Sequence, residues 1–201
     1  MANSPNAKTQ KEIYTQLQSE FGEEIILSFV DPKEEQAPQE SSVPQTKEGE
    51  DKKPAPKKVL RAGDSFILIK PEAIARVCSY LRENPEMMFD SLMCLGGIDE
   101  SGEDPAIAVI YCLHSFKHLH KVHLKVRLSR ETPKVPSVQA IWSIANWFER
   151  ETFDLFGVVF ENHPDLRRLL LPPDWVGYPL RKDYEYPKEY NGITCERAKL
   201  K

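Results

Sequence analysis

The sequence predicts an α+β fold: a two-layer sandwich in the order α-β2-α-β3-α, with an extended carboxy-terminal arm. Three observations lead there. Strand-like runs fall in a pair and then a trio, separated by helix-period segments, which places the helices together on one side of a sheet. Residues 31–58 break every pattern, with five prolines and Val43 as the one large aliphatic. From Glu161 onward, Pro164, Pro172, Pro173, Pro179 and Pro187 block regular structure although large apolar residues continue.

The elements follow in chain order. In "KTQKEIYTQLQSEF", Ile13, Leu17 and Phe21 recur every four residues on one helical face, and Gly22 is a suitable stop. "EIILSFV" (24–30) reads as the first strand and "SFILIK" (65–70) as the second. Residues 31–58 between them are expected to be a disordered insertion, because so little apolar surface cannot offset the entropy of ordering. Pro71 suits the first turn of a helix whose inner face carries Ile74, Val77, Cys78 and Leu81. "SLMCLGGI" (91–98), "AIAVIYCLHSF" (106–116) and "KVHLKVRLS" (121–129) supply three more strands. The last alternates Val122, Leu124, Val126 and Leu128 inward with His123, Lys125 and Arg127 outward. "ETPKVPS" is a loop, Ser137 caps a final helix reaching about Leu155, and Gly157 stops it. The domain reading is therefore 1–30 for the first helix and strand and 31–58 for the insertion. Residues 59–160 form the remainder of the α+β domain, and 161–201 an interaction arm.

Composition narrows the function classes. The 201 residues carry a formal charge of −4, and no basic cluster of the kind that phosphate backbones require. The opening "MANSPNAKTQ" is polar, and no secretory signal is expected. No apolar run is long enough for a membrane span, so membrane contact is expected only through a partner. Cys78, Cys94, Cys112 and Cys195 form no C-x-x-C pair and read as free thiols.

The final helix is apolar on most sides. Ile141, Ile144, Ala145, Phe148, Thr152 and Leu155 share one face, and Trp142, Asn146, Glu149, Phe153 and Phe156 a second. Ser143, Trp147, Arg150 and Asp154 fall on a third. Such a helix is covered twice: once by its own sheet and once by the chain's tail or by another subunit. Neighbouring helical residues point ~100° apart, so Glu149, Arg150 and Glu151 cannot share one solvated face. If buried they need matched partners, whose loss costs about 3–5 kcal/mol. In the arm, Arg167, Arg168, Arg181 and Lys182 alternate with Asp165, Asp174 and Asp183 among Leu166, Leu169, Leu170, Leu171 and Trp175. A long stretch of this kind wants a surface to bind, and arginine forks facing carboxylates fix its register.

Catalytic readings are thin. His163 lies near Asp154 and Asp165 in sequence, but no nucleophile elbow, H-E-x-x-H set or Gly-rich phosphate loop accompanies it. His114, His118, His120 and His123 could hold a metal, which keeps a His-ligated metalloenzyme as an alternative. They fall across a strand–strand turn, which favours a solvated hairpin.

The segment "ANWFERETFDLFGVVFENHPDLRRLLLPPDWVGYPLRKDY" (145–184) resembles the 30-kilodalton, or C, subunit family of respiratory complex I, the NADH:quinone oxidoreductase. The matching pieces are "ERETFDLFG" (149–157), "HPDLRRLLLP" (163–172) and "GYPLRKDY" (177–184), with "YPKEYNGI" (186–193) similar to the bacterial quinone-type members. The resemblance implies a redox-inactive scaffold with no cofactor and no catalytic site of its own. FMN, the iron–sulfur clusters, NADH and quinone would belong to the holoenzyme, a proton-pumping translocase. The implied partners are the D subunit, which helps form the quinone site, and the iron–sulfur B and I subunits. The implied place is peripheral, on the cytoplasmic side of the bacterial inner membrane. Related subunits of photosynthetic NDH complexes and membrane-bound hydrogenases are the alternative. On this reading Phe148, Glu149, Arg150, Glu151, Phe153, Asp154, Phe156 and Gly157 form the interface end of the last helix. His163, Pro164, Asp165, Arg167 and Arg168 open the arm, and Trp175, Pro179, Arg181, Lys182, Asp183 and Tyr184 fix it on its partner. Tyr178 stands where the family commonly has His.

Overall fold

The computed structural model describes residues 7–31, 64–100 and 104–194. The predicted insertion, apart from Asp31, lies outside the described residues, as does Cys195. The chain enters helix α1 (Gln10–Phe21) through a capping box: Glu12 N–H donates to the Thr9 hydroxyl, and the Glu12 carboxylate accepts from Thr9 N–H. Ile13 and Leu17 on this helix are fully buried, as their spacing requires.

Strands β1 (Ile26–Val30), β2 (Phe66–Ile69), β3 (Ser91–Glu100), β4 (Ala106–His114) and β5 (Lys121–Ser129) form one sheet in the order β1-β2-β5-β4-β3. All pairs are antiparallel except β2 with β5. Between β2 and β3, Pro71–Ala73 make a 3₁₀ turn that leads into helix α2 (Ile74–Glu83). The core lies on one face of the sheet. Ile107, Val109, Tyr111 and Leu113 of β4 sit directly opposite Leu128, Val126, Leu124 and Val122 of β5, and all eight are buried. Ile74, Val77, Cys78 and Leu81 of α2 close over the same cluster.

The last helix differs from expectation. Helix α3 runs from Ala145 to Phe156 and does not begin at Ser137. Residues 134–136 instead form strand β6 (Lys134–Pro136), parallel to β7 (Val159–Glu161), which holds this stretch extended. Ser137 then bonds through its N–H to the Glu161 carbonyl, and its hydroxyl is taken by Glu149. Its hydroxyl oxygen still accepts the Gln139 N–H at 3.1 Å, so it caps the isolated turn that follows and not the helix itself. The intervening turns seat Trp142 in the core, its indole N–H donating to the Phe89 carbonyl at 3.1 Å.

The arm is also not extended. Residues 162–188 make a series of turns laid back over α3, and a hairpin follows, β8 (Glu189–Tyr190) and β9 (Ile193–Thr194). Asn191 and Gly192 supply its two positive-φ corner residues. Asn-Gly between short strand-like pairs is the strongest local hairpin signal, and "YNGI" carries it.

Candidate functional site

The second cover of α3 is the chain's own arm. At its centre is Asp154, whose side chain is fully buried. Its carboxylate accepts from the Arg168 guanidinium at 2.7 Å and from the backbone N–H groups of Leu169, Leu170 and Leu171 at 3.0, 2.7 and 2.8 Å. Burial alone would raise the pKa of this acid. The Leu171 N–H, the Arg168 guanidinium and the other two N–H groups outweigh it and hold the group below the usual range. Consecutive backbone donors converging on one oxygen make a nest for an anion, and the anion here is a side chain of the same polypeptide.

One turn earlier, Arg150 caps the carbonyls of Arg167 and Arg168 at 3.2 and 3.3 Å and lies over the Trp147 ring, 5.3 Å from its centroid. Glu149 is buried on the opposite side. Its carboxylate accepts from the Ser137 hydroxyl at 2.6 Å and the Val138 N–H at 2.8 Å. Burial nevertheless pushes its pKa up to about 7, against the pull of those two donors. His163 Nε2 lies 3.9 Å from it, and neither side chain is exposed. Because His163 Nδ1 accepts the Asp165 N–H at 3.1 Å, Nε2 carries the ring proton in the neutral tautomer. Burial lowers the pKa of this imidazole.

At the end of α3, Gly157 has φ +74, and a Cβ there would meet the Tyr178 ring at 2.5 Å. The position therefore needs glycine both for its backbone and for its space. Two guanidiniums lie over the Tyr178 ring, those of Arg181 at 4.9 Å and Arg168 at 5.5 Å from its centroid. Arg181 Nε also donates to the Phe156 carbonyl at 2.6 Å. Phe156 in turn rests on β3 at Gly97, where a Cβ would lie 2.5 Å from the ring. Beyond it, Asp99 takes both arms of Arg130, at 2.5 and 2.8 Å, and the Lys182 N–H at 2.7 Å, while Arg130 reaches Asp183 at 2.8 Å.

The sequence-predicted residues thus fall into distinct sets. Glu149, Arg150, Asp154, His163, Arg168, Arg181 and Asp183 take polar partners from this chain, which corrects the expectation that their counterparts belong to a different polypeptide. Local periodicity cannot reveal pairings made 14 to 17 residues away, as those of Asp154 are. Phe148 and Phe156 pack half-buried against the core. Phe153, Trp175, Pro179 and Tyr184 are half-buried and Gly157 is buried, while Glu151, Pro164, Asp165, Arg167 and Lys182 are exposed. Arg167 pairs with Asp165 at 2.9 Å in solvent, and the Tyr184 hydroxyl donates to the Val176 carbonyl. Asp99, Arg130 and Ser137 also hold the arm and the helix, and periodicity does not single them out. An acid at a core-facing parity of β3 was the signal for Asp99. The histidine cluster is split. His120 is buried with Nε2 on the Met87 carbonyl, His118 faces the Pro85 carbonyl, and His123 lies on the far sheet face. The expected solvated hairpin therefore does not hold for His120. Among the described residues, no group of three or more His, Cys, Asp or Glu could hold a metal ion.

The model of the "respiratory-chain NADH dehydrogenase, 30 Kd subunit" family matches residues 67–190. The chain belongs to this family. The C subunit of an NADH-quinone oxidoreductase from Roseiflexus castenholzii is 47% identical over 138 residues, 69% of this chain and 79% of the relative. Its counterpart from Chloroherpeton thalassium is 43% identical over 129 residues, 64% of this chain and 53% of its own. A solved trypsin-resistant fragment of Nqo5 is 30% identical, with a TM-score of 0.46 over 52% of this chain and 83% of the fragment. The three pieces that resemble the 30-kilodalton family are separated in sequence but joined in space. Asp154 of the first binds Arg168 to Leu171 of the second, and Tyr178 and Arg181 of the third close over Gly157 and Phe156 of the first. No described helix is long and apolar enough to cross a membrane.

Proposed function

We propose that this chain is a redox-inactive scaffold of the peripheral arm of a proton-pumping NADH:quinone oxidoreductase, docking the D subunit and lying near the B and I subunits. It works on the cytoplasmic side of the membrane and meets the bilayer only through the assembled complex. Electrons pass from NADH to quinone through other subunits.

One observation carries the reading. The buried polar groups that tie the arm to α3 find their partners inside the chain, while several large apolar side chains of the arm and of α3 are left facing out. Trp147 is 55% exposed, Leu170 60%, Val176 84% and Leu180 50%. Nest, guanidinium and aromatic contacts hold the arm in place, and Leu170, Val176 and Leu180 stand out from it among exposed charged side chains. Large exposed apolar groups on an ordered surface mark a protein–protein contact. Interface residues proposed from sequence, such as Phe153 and Arg168, then act behind that surface by fixing its shape.

The experiment is a pull-down with the D subunit as prey. Leu170→Glu combined with Leu180→Glu should abolish co-purification and assembled NADH:quinone activity, with the melting temperature of the lone chain unchanged. Retention of that partner by the folded double variant would remove the proposal.

A further inference from the structure

Cys94 of β3 and Cys112 of β4 are directly opposed partners in the antiparallel ladder. Both point away from the helices. Leu92, Leu95, Tyr111 and Leu113 fill the core, and a bulge between Leu92 and Cys94 keeps Met93 and Cys94 together on the outer side. Residues directly opposed in this way have Cα atoms about 4.5–5.5 Å apart. A disulfide spans about 4.4–6.8 Å between Cα atoms, so the strands need not move to be bridged. Cys94 is exposed and Cys112 half-buried. Burial raises the Cys112 pKa, and the neighbouring Cys94 and Asp64 raise it further, so each thiol lies within electrostatic reach of the other. Cys78 is different: it is fully buried on α2, its thiol is pushed up by desolvation, and no reagent reaches it. His123 of β5 continues the row beside Cys112, with its Nδ1 3.3 Å from the Ser65 carbonyl oxygen. Among the described residues no group of three such side chains, this row included, could hold a metal ion.

We propose that Cys94 and Cys112 are a reversible oxidation site, forming a cross-strand disulfide by exchange with a low-molecular-weight disulfide. The exposed Cys94 thiolate attacks one sulfur of the small disulfide, expelling a small thiolate and leaving a mixed disulfide. Cys112 loses its proton to solvent and attacks the Cys94 sulfur, expelling the second small thiol. Two protein thiols are oxidised and one small disulfide is reduced to two thiols, with no further reactant. Cys94 is exposed, and exposed disulfides are more easily reduced than buried structural ones, so the bond returns readily to the dithiol, as a responsive bridge must. When closed, it pins the outermost strand, on which Phe156 rests at Gly97, to the rest of the sheet.

The test treats the full chain with oxidised glutathione at pH 8, followed by alkylation, intact-mass measurement and peptide mapping. The expected result is loss of two of the four thiols, a mass lower by two hydrogens, and a peptide joining Cys94 to Cys112 that dithiothreitol separates. Cys112→Ser should stop at a glutathione adduct on Cys94. A stable adduct on Cys94 in the unaltered chain, a bridge to Cys195, or a bridge between two copies would each overturn the proposal. The mapping on the unaltered chain decides the matter even if a serine variant folds poorly.

Discussion

Asp154 and Arg168 meet at 2.7 Å with the carboxylate fully buried, and the same carboxylate gathers three successive leucine N–H groups. This one side chain fixes the first turn of the arm. Asp154→Ala leaves a half-buried guanidinium and three backbone donors without their acceptor, at a cost of about 3–5 kcal/mol. Asp154→Asn keeps the shape and loses the charge, so its stability should fall between those of Asp154→Ala and the unaltered chain. Urea denaturation of the three proteins measures the order.

The pH dependence of that site has a definite sign. The folded pKa of Asp154 is depressed. Its contribution to stability is therefore present above the unfolded value and lost as pH falls through the folded one. Chemical denaturation of the unaltered chain should show stability falling below about pH 4, near the ordinary carboxylate value. In Asp154→Asn the part of that slope due to this group should be missing.

Glu149 runs the other way. Its folded pKa is raised from 4.5 to about 7, so the folded state holds the proton more tightly than the unfolded chain does. Its contribution is full below the unfolded value and is lost as pH climbs through about 7. Glu149→Gln is neutral throughout. Its carbonyl can take the Val138 N–H and its amide can donate to Ser137. Denaturation at pH 5 and pH 8 should show the unaltered chain weakening by a few kcal/mol relative to the glutamine variant over the same interval. Equal pH slopes in the two proteins would mean that Glu149 is ionised in the fold.

These two acids also show which features local sequence encodes. Both sit on a helix whose apolar circumference announces a double cover, and the period of α1, α2 and the five main strands is readable because each buries one face or alternates across the sheet. The start of α3 is not readable in the same way. Residues 137–144 have helical spacing, but they close as tight turns, Ile141 N–H to the Val138 carbonyl and Ala145 N–H to that of Trp142, while Glu149 holds Ser137 and Val138 from across the helix. The arm looks unpartnered in sequence because its anchors, Asp154 for Arg168 and Asp99 for Lys182, lie 14 and 83 residues away. No local pattern encodes such distances. The Asn-Gly corner of the β8–β9 hairpin is present in the sequence, but the prolines around it weigh against regular structure.

Gly157→Ala combines two penalties that can be separated. A left-handed backbone costs a non-glycine residue roughly 1–2 kcal/mol. The new methyl also strikes the Tyr178 ring, which two guanidiniums hold in place. In a Tyr178→Ala background the collision vanishes and only the backbone cost remains. Thermal denaturation of both single variants and the double variant should therefore be non-additive, with Gly157→Ala costing less when Tyr178 is absent. Additive losses would mean that the ring yields freely.

Arg130 holds two acids of unequal worth, and exposure decides between them. The Asp99 side chain is 2% exposed, binds both arms of the guanidinium and also accepts the Lys182 N–H. Asp183 meets the same arginine at 2.8 Å but is 60% exposed, so water and salt compete for it. Bidentate contact with Arg130 leads the causes that hold the Asp99 pKa down, ahead of the opposing burial. Asp99→Ala should cost about 3 kcal/mol and free the arm near Lys182, whereas Asp183→Ala should stay within about 1 kcal/mol. Urea denaturation gives the two stabilities. Hydrogen exchange at the Lys182 amide reports the arm directly, rising in Asp99→Ala and unchanged in Asp183→Ala. Equal losses in both variants would show that the surface carboxylate shares the anchoring of the arm and that burial does not set its strength.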